Sequence, residues 1–234
     1  HPKKCRVLAR LNVKPLGGDS KEMFLNGEEL KLINCQVNGA SVTPKQTKSG
    51  LLIEASNTAF VLETEVEIDP DGNTALEGLY MSNGMYCTQC EAEGFRRITF
   101  YPDRPDVMSI FHARIEDPSN TLPVLLSNGN LTAQGPGWAE WHDPWPKPSY
   151  LFALVAGNLK RHSEQFITKS GRHVDLSIYM RAGDEDKCDF GMEALIKSMK
   201  WDEDVYGREY DLDVFNIVAV DDFNAGAMEN KGLN

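Results

Sequence analysis

The residue types best suited to chemistry gather near the end of this 234-residue chain, in Val220-Asp-Asp-Phe-Asn-Ala-Gly-Ala-Met-Glu-Asn-Lys-Gly232. One carboxylate, Glu229, stands after the small residues Ala225, Gly226 and Ala227, with Met228 beside it. Glycine allows backbone paths that other residues resist, and small side chains leave N–H and C=O groups open to a ligand chain. In that setting Glu229 can pair with a cation such as a substrate amine. The same residues also read as a plain turn after a strand, with solvated charges. Spacing alone leaves both readings open.

Other candidates are weaker. Cys87-Thr-Gln-Cys90 supplies only half of a structural zinc set. If residues 86–91 are extended, Cys87 and Cys90 point to opposite faces, against joint ligation and against a bridge. They then read as half-buried small hydrophobes. The same alternation puts Gln89 and Glu91 on one face, as an edge decoration or as part of a pocket. The histidines His1, His112, His142, His162 and His173 include no i, i+4 pair and no HExxH. No Ser-His-Asp or Cys-His order stands out. Gly17-Gly18 and Gly135-Pro-Gly137 lack the form of a phosphate loop. Trp138, Trp141, Trp145 and Tyr150 sit among prolines and read as packing under a sheet edge.

Lys and Arg number 24 against 35 Asp and Glu, giving a net charge of -11. An acidic surface argues against nucleic acid or an anionic membrane as the main partner. No stretch approaches the roughly 18 apolar residues of a membrane span. The odd cysteine count suits free thiols in a reducing compartment, so the cytoplasm is favoured, although no targeting signal can be read. The sequon Asn130-Leu-Thr132 matters only in a secreted protein.

The elements that must position these residues are mostly strands. Alternation predicts one over 5–13, with Val7, Ala9, Leu11 and Val13 on one face, and one over 30–37 before an Asn38-Gly39 turn. The clearest period of two is Phe60, Leu62, Thr64, Val66 and Ile68, ended by Asp69-Pro-Asp-Gly72. Further strands are expected over 51–53, 74–82, 85–90, 95–101, 109–115, 124–126, 138–141 and 150–155, with a proline-rich link at 144–148. Residues 165–168 and 174–179 read as a hairpin closed at Ser170-Gly171. This predicts an antiparallel sandwich or stacked sheets.

Near Ala182 the period becomes helical. Cys188, Met192, Leu195, Ile196 and Met199 mark one stripe, which Val205 extends; Asp184 is the expected cap and Gly207 the stop. A strand over 212–220 follows, with Val218, Ala219 and Val220 buried on both faces. Residues 1–180 thus read as one β-rich domain and 181–234 as the start of a second. Covering so apolar a strand takes more chain than this, so the second domain is expected to be cut short.

Gly226-Ala-Met-Glu-Asn230, continuing through Lys231-Gly-Leu-Asn234, resembles the exopeptidase motif of the zinc aminopeptidases related to aminopeptidase N. Asn73-Thr-Ala-Leu-Glu-Gly-Leu-Tyr80 and Thr88-Gln-Cys-Glu-Ala-Glu-Gly-Phe-Arg96 resemble the bacterial and apicomplexan branch of that family. So do Tyr101-Pro-Asp-Arg-Pro-Asp106, Leu125-Leu-Ser-Asn-Gly129, Lys147-Pro-Ser-Tyr-Leu-Phe-Ala-Leu-Val-Ala-Gly157 and Ser198-Met-Lys-Trp-Asp-Glu203.

The resemblance implies an all-β, saddle-like first domain of antiparallel sheets, followed by the truncated start of an α/β thermolysin-like catalytic domain. It implies that Glu229 holds the free α-amine of a peptide and that Gln89 reaches the same amine. Glu91 matches the rim of the first side-chain pocket, Gly226 and Ala227 match backbone along the substrate, and Met228 matches a packing residue near that pocket. Ala225 stands where the enterobacterial relative has methionine, which implies a reshaped pocket. Zinc, held by two histidines and a glutamate, would lie with its water-activating glutamate beyond Asn234. No catalytic or metal residue is expected in this chain, which alone should bind no zinc and turn over no peptide. Its partners would be peptides with a free N-terminus and the rest of its own catalytic and C-terminal domains. The alternatives are a non-catalytic scaffold relative and the epoxide-hydrolysing relative, whose motif has glycine where Ala227 stands.

Overall fold

The computed structural model describes residues 3–17, 21–54 and 57–234; His1, and Gly18 of the Gly17-Gly18 pair, lie outside the described residues. In chain order the strands are β1 (Cys5–Val13), β2 (Glu22–Asn26), β3 (Lys31–Val37), β4 (Ala40–Ser41), β5 (Lys45–Thr47), β6 (Gly50–Glu54), β7 (Phe60–Ile68), β8 (Gly78–Ser82) and β9 (Met85–Gln89). There follow β10 (Ser109–Glu116), β11 (Val124–Ser127), β12 (Asn130–Gly135), β13 (Trp138–Lys147), β14 (Leu154–Gly157), β15 (Lys160–Ile167), β16 (His173–Met180), the helix α1 (Cys188–Tyr206) and β17 (Val214–Val218). A β-rich region thus precedes a single α-helix among the described residues, as the sequence predicts. The chain forms two compact units: His1–Met81, Thr88–Ser109 and Lys147–Tyr150 make one, and Ser82–Cys87, Ile110–Pro146 and Leu151–Asn234 the other.

In the first unit β7 lies between β1 and β3, and β4 extends the sheet beyond β3. Its pairing with β1 runs unbroken from Cys5 opposite Ile68 to Val13 opposite Phe60. Phe60, Leu62, Thr64, Val66 and Ile68 are all buried, so the period of two is real burial on one face. Asn38 and Gly39 both take positive φ, the demand of a tight two-residue hairpin turn. A second sheet, β2-β6-β5, adds Leu25, Leu51 and Ile53 to the core.

The strand expected over 95–101 is not formed; Phe95–Arg97 is a 3-10 turn. The cause is Asp103, whose side chain is 1% exposed. Its carboxylate accepts from the Arg96 backbone N–H at 3.1 Å and from Arg96 Nε at 3.0 Å, and the Ser149 hydroxyl donates to it as well. A buried carboxylate needs such donors, and curling the chain around it supplies them. Phe95 is buried, Arg96 and Arg97 are not, and Ile98 to Tyr101 are buried without a break, so no alternation of two is present.

In the second unit β12 pairs with β13, and β14 lies between β11 and residues Tyr86 and Cys87 of β9. The expected proline-rich link is strand, because β13 runs on through Pro144 and Pro146 to Lys147. Within it the Trp145 N–H turns to Asp143 Oδ1 at 3.2 Å. The sequon residue Asn130 is engaged at both ends: its Nδ2 donates to Asp213 Oδ2 at 2.9 Å, and its Oδ1 accepts from the Asp213 N–H at 2.8 Å.

Strands β15 and β16 form the expected hairpin, and β17 pairs with β16 in parallel, from Asp175 opposite Val214 to Tyr179 opposite Val218. The antiparallel expectation concerns residues 1–180; β17 lies beyond them, and α1 is the crossover that its parallel pairing with β16 requires. Cys188, Met192, Leu195 and Met199 pack on Phe166, Val174, Leu176, Ile178 and Met180, with Ile196 at the margin. Gly207, in the left-handed conformation, closes α1 with its N–H on Asp202 O.

Three details of this segment differ from expectation. Asp184 does not cap α1: a 3-10 turn, Glu185–Lys187, intervenes, and its carboxylate pairs with Lys187 Nζ. The apolar stripe does not continue to Val205, which is 55% exposed. Helical spacing from Met199 leads instead to Glu203, buried and accepting the Lys169 N–H at 3.3 Å. Finally, Val218 and Val220 are half-buried and Ala219 is exposed, while the most buried residue of β17 is Asn216.

Candidate functional site

The 221–231 loop belongs to the second unit, and its start is tied down by charge and hydrogen bonds. The Ser82 hydroxyl donates to Asp222 Oδ2 at 2.7 Å, and Asn83 Nδ2 donates to Asp221 Oδ2 at 3.0 Å. Arg181 Nε lies 2.8 Å from the same Asp221 oxygen, while its terminal nitrogens donate to the Asn83 and Ser82 carbonyls.

The far end is tied down separately. Asn128, 3% exposed, donates from Nδ2 to the Lys231 carbonyl and to the Leu151 carbonyl, both at 3.0 Å. Its Oδ1 accepts the Ala153 N–H at 2.7 Å. Lys231 Nζ pairs with Asp211 at 2.8 Å and lies 5.2 Å from the centre of the Trp145 ring. Residues 232–234 then run beside β17: Asn216 N–H donates to Gly232 O, Asn234 N–H to Asn216 O, and Val218 N–H to Asn234 O. The neighbouring Gly129, at φ +88, is where only glycine fits, since an added Cβ would stand 2.2 Å from the His142 carbonyl oxygen.

Between these ends the chain has no regular structure. Ala225, Gly226, Ala227 and Glu229 are exposed, while Met228 and Asn230 are buried. The two buried side chains flank Glu229 and leave it facing out. Among the described residues Glu229 makes no ion pair or hydrogen bond, and Lys231, the nearest cation in sequence, is occupied by Asp211. The arrangement offers a fixed, uncompensated carboxylate beside open backbone, suited to an ammonium group that brings its own hydrogen-bond donors.

Gln89 and Glu91 belong to the first unit. The expected extended run to Glu91 stops at Gln89, where β9 ends, and the chain turns back with the Gly94 N–H on Cys90 O at 2.9 Å. The two residues therefore do not share a strand face. Gln89 is buried, with Nε2 donating to Glu91 O at 3.3 Å, and Glu91 is exposed. Gly94 makes the turn possible, since a Cβ there would meet Gln89 O at 2.3 Å.

Cys87 and Cys90 are buried rather than half-buried, and all five cysteines are free thiols. Burial, then the charge of Asp103, pushes the Cys90 thiol far up, so it behaves as an inert hydrophobe. Among the described residues no three His, Cys, Asp or Glu side chains gather where they could hold a metal ion, and no helix is long and apolar enough to cross a membrane.

A family profile described as the Peptidase M1 N-terminal domain matches residues 7–151, more than half of the chain. The chain belongs to the M1 peptidase family. A second profile, the Peptidase family M1 domain, matches residues 190–234. The chain is 52% identical to aminopeptidase N of Caulobacter vibrioides, over all of its own length and 28% of that protein. It is 50% identical to aminopeptidase N of Escherichia coli, over 93% of this chain and 26% of the relative. A Legionella pneumophila aminopeptidase A, solved with aspartic acid, superposes with a TM-score of 0.92 at 38% identity, over 98% of this chain and 28% of that one. An M1 zinc metallopeptidase of Deinococcus radiodurans, at 18% identity and a TM-score of 0.82, shares the fold. The chain therefore spans little more than a quarter of the first M1 relatives it matches.

Sequence reasoning missed the side chains that hold the M1 loop: Ser82, Asn83, Asn128 and Arg181. Their only signals are small polar residues next to turn glycines, in Ser82-Asn-Gly84 and Ser127-Asn-Gly129. Nothing in the sequence links either turn to residues 221–231.

Proposed function

We propose that the protein to which this chain contributes is a zinc-dependent aminopeptidase, removing the first residue from peptides, and that Glu229 anchors the free α-amine. The supporting observation is an exposed, unpaired carboxylate fixed between buried Met228 and Asn230. A carboxylate beside an ammonium gains most where substrate and protein exclude water. Anchoring the amine also fixes distance, so that one peptide bond only reaches the reacting centre. Gln89 assists at the amine, Glu91 lines the rim of the first side-chain pocket, and Ala225, Gly226, Ala227 and Met228 shape the path of the substrate.

No described group of side chains in this chain fits a zinc ion. We assign the metal, and the residues that activate water, to parts of the protein outside this chain, and propose that this chain alone is inactive. We likewise propose a division at 180/181, between a β-rich domain and the beginning of the catalytic domain. A cytoplasmic location accords with the five free thiols.

The test is Glu229→Ala in the full-length protein. Turnover of an aminoacyl reporter, measured as kcat/KM, should fall by roughly two orders of magnitude, while zinc content stays at the wild-type level. A parallel loss of zinc, or an unchanged kcat/KM, would overturn the assignment.

A further inference from the structure

Resting on the reading of Glu229 as an amine anchor, we infer that Asn128 and Ser82 are positioning residues for it. They hold the two ends of the 221–231 loop, and so the stretch from which exposed Glu229 presents its carboxylate. The loop has no ladder of its own, so its course depends on the burial of Met228 and Asn230 and on what grips its ends. Ser82, fully buried, grips the start through Asp222 Oδ2 at 2.7 Å. Asn128 grips the end through Lys231 O at 3.0 Å, two residues beyond Glu229.

The chemistry of Asn128 is specific. Two carbonyl oxygens, of Leu151 and Lys231, face its Nδ2, and one N–H, of Ala153, faces its Oδ1. Only a primary amide presents two donors and an acceptor in that space. Aspartate has the same shape but no donor, and would set carboxylate oxygen against both carbonyls. Asn128→Asp therefore removes the donor to the Lys231 carbonyl without opening a cavity. Ser82→Ala deletes one oxygen and removes the Ser82–Asp222 hydrogen bond, so its effect is the smaller of the two. Asp222→Asn keeps an oxygen for the Ser82 hydroxyl and serves as the conservative control.

The experiment uses the full-length protein and an aminoacyl reporter. KM should rise roughly tenfold to a hundredfold in Asn128→Asp, and less in Ser82→Ala, because an anchor displaced by about an ångström loses its register with the amine. Zinc content should be unchanged, kcat largely kept, and Asp222→Asn close to wild type. A purely structural role would lower the unfolding midpoint and leave KM alone; that result in both variants overturns the inference. If Asn128→Asp does not fold, Ser82→Ala decides by the same criterion. Glu229→Ala, run alongside, separates the failures. A silent Glu229→Ala overturns the amine-anchor reading and this inference with it. A damaging Glu229→Ala with wild-type KM in both positioning variants overturns the inference alone.

Discussion

Strand β7 and the 221–231 loop are held in opposite ways. β7 carries its instructions within itself: nine residues alternate, one face is buried, and backbone pairs form on both edges. The loop carries almost none. Its two ends are held by Ser82, Asn83, Arg181 and Asn128, whose side chains reach it from elsewhere in the chain. The periodic region has one conformation because its burial pattern admits no other register. The ends of the candidate site are held where the buried donors of Ser82 and Asn128 meet acceptors, with the more exposed Asn83 and Arg181 beside them.

Substitutions can break or sharpen that contrast. The largest loss of stability is expected at Gly129, in the turn that presents Asn128. Gly129→Ala combines positive φ with overlap on the His142 backbone, and should cost about 4 kcal/mol. Leu62→Ala, in the fully buried row of β7, should cost roughly 3 kcal/mol from lost burial and the cavity left behind. Both are read as urea midpoints. A Gly129→Ala variant as stable as wild type would show that the turn relaxes freely and is no fixed support.

Asn128→Ala should cost about 1 to 3 kcal/mol, the penalty of leaving buried carbonyls and an N–H without partners. Hydrogen exchange sharpens the contrast here: protection should fall in residues 221–234 and stay unchanged in β7. Equal loss in both would mean that the loop is not separately held.

The smallest effect concerns pH. The His112 ring stacks on His142 with centroids 3.9 Å apart. Desolvation, then the charge of His142, holds the His112 pKa below the ordinary value. A depressed pKa favours the neutral ring in the folded state. Its contribution is therefore complete above about pH 6.5 and is lost as pH falls through the lowered value. His112→Gln should flatten the stability profile slightly between about pH 7 and pH 5, and leave it unchanged at higher pH. A steeper acid loss in the variant would reverse the sign.

How much could be read in advance follows the same division. β1, β7, the Asn38-Gly39 turn, the β15-β16 hairpin and the stripe of α1 were legible, since each is written in neighbouring residues. The misreadings occur where a distant polar group decides. Asp103 curls 95–97 into a 3-10 turn, and Glu203, not the expected Val205, is the buried helix residue after Met199. Asn216, in the middle of a greasy run, is the most buried residue of β17. At the candidate site, Glu229 and its small neighbours were legible as types. The side chains that grip them were not, because one hydrogen bond leaves no period in a sequence.

The distances along the chain between the gripping partners have a further consequence. Ser82 and Asp222 are separated by 140 positions, and Asn128 and Lys231 by 103. The β15-β16 hairpin, by contrast, closes across the few residues between Ile167 and His173. Joining distant segments costs more chain entropy than closing a hairpin, and such joints form late in folding. The grips on the 221–231 loop are therefore expected to form later than the β15-β16 hairpin. Pulse-labelling hydrogen exchange during refolding should then show protection of the β15-β16 hairpin before that of residues 221–234.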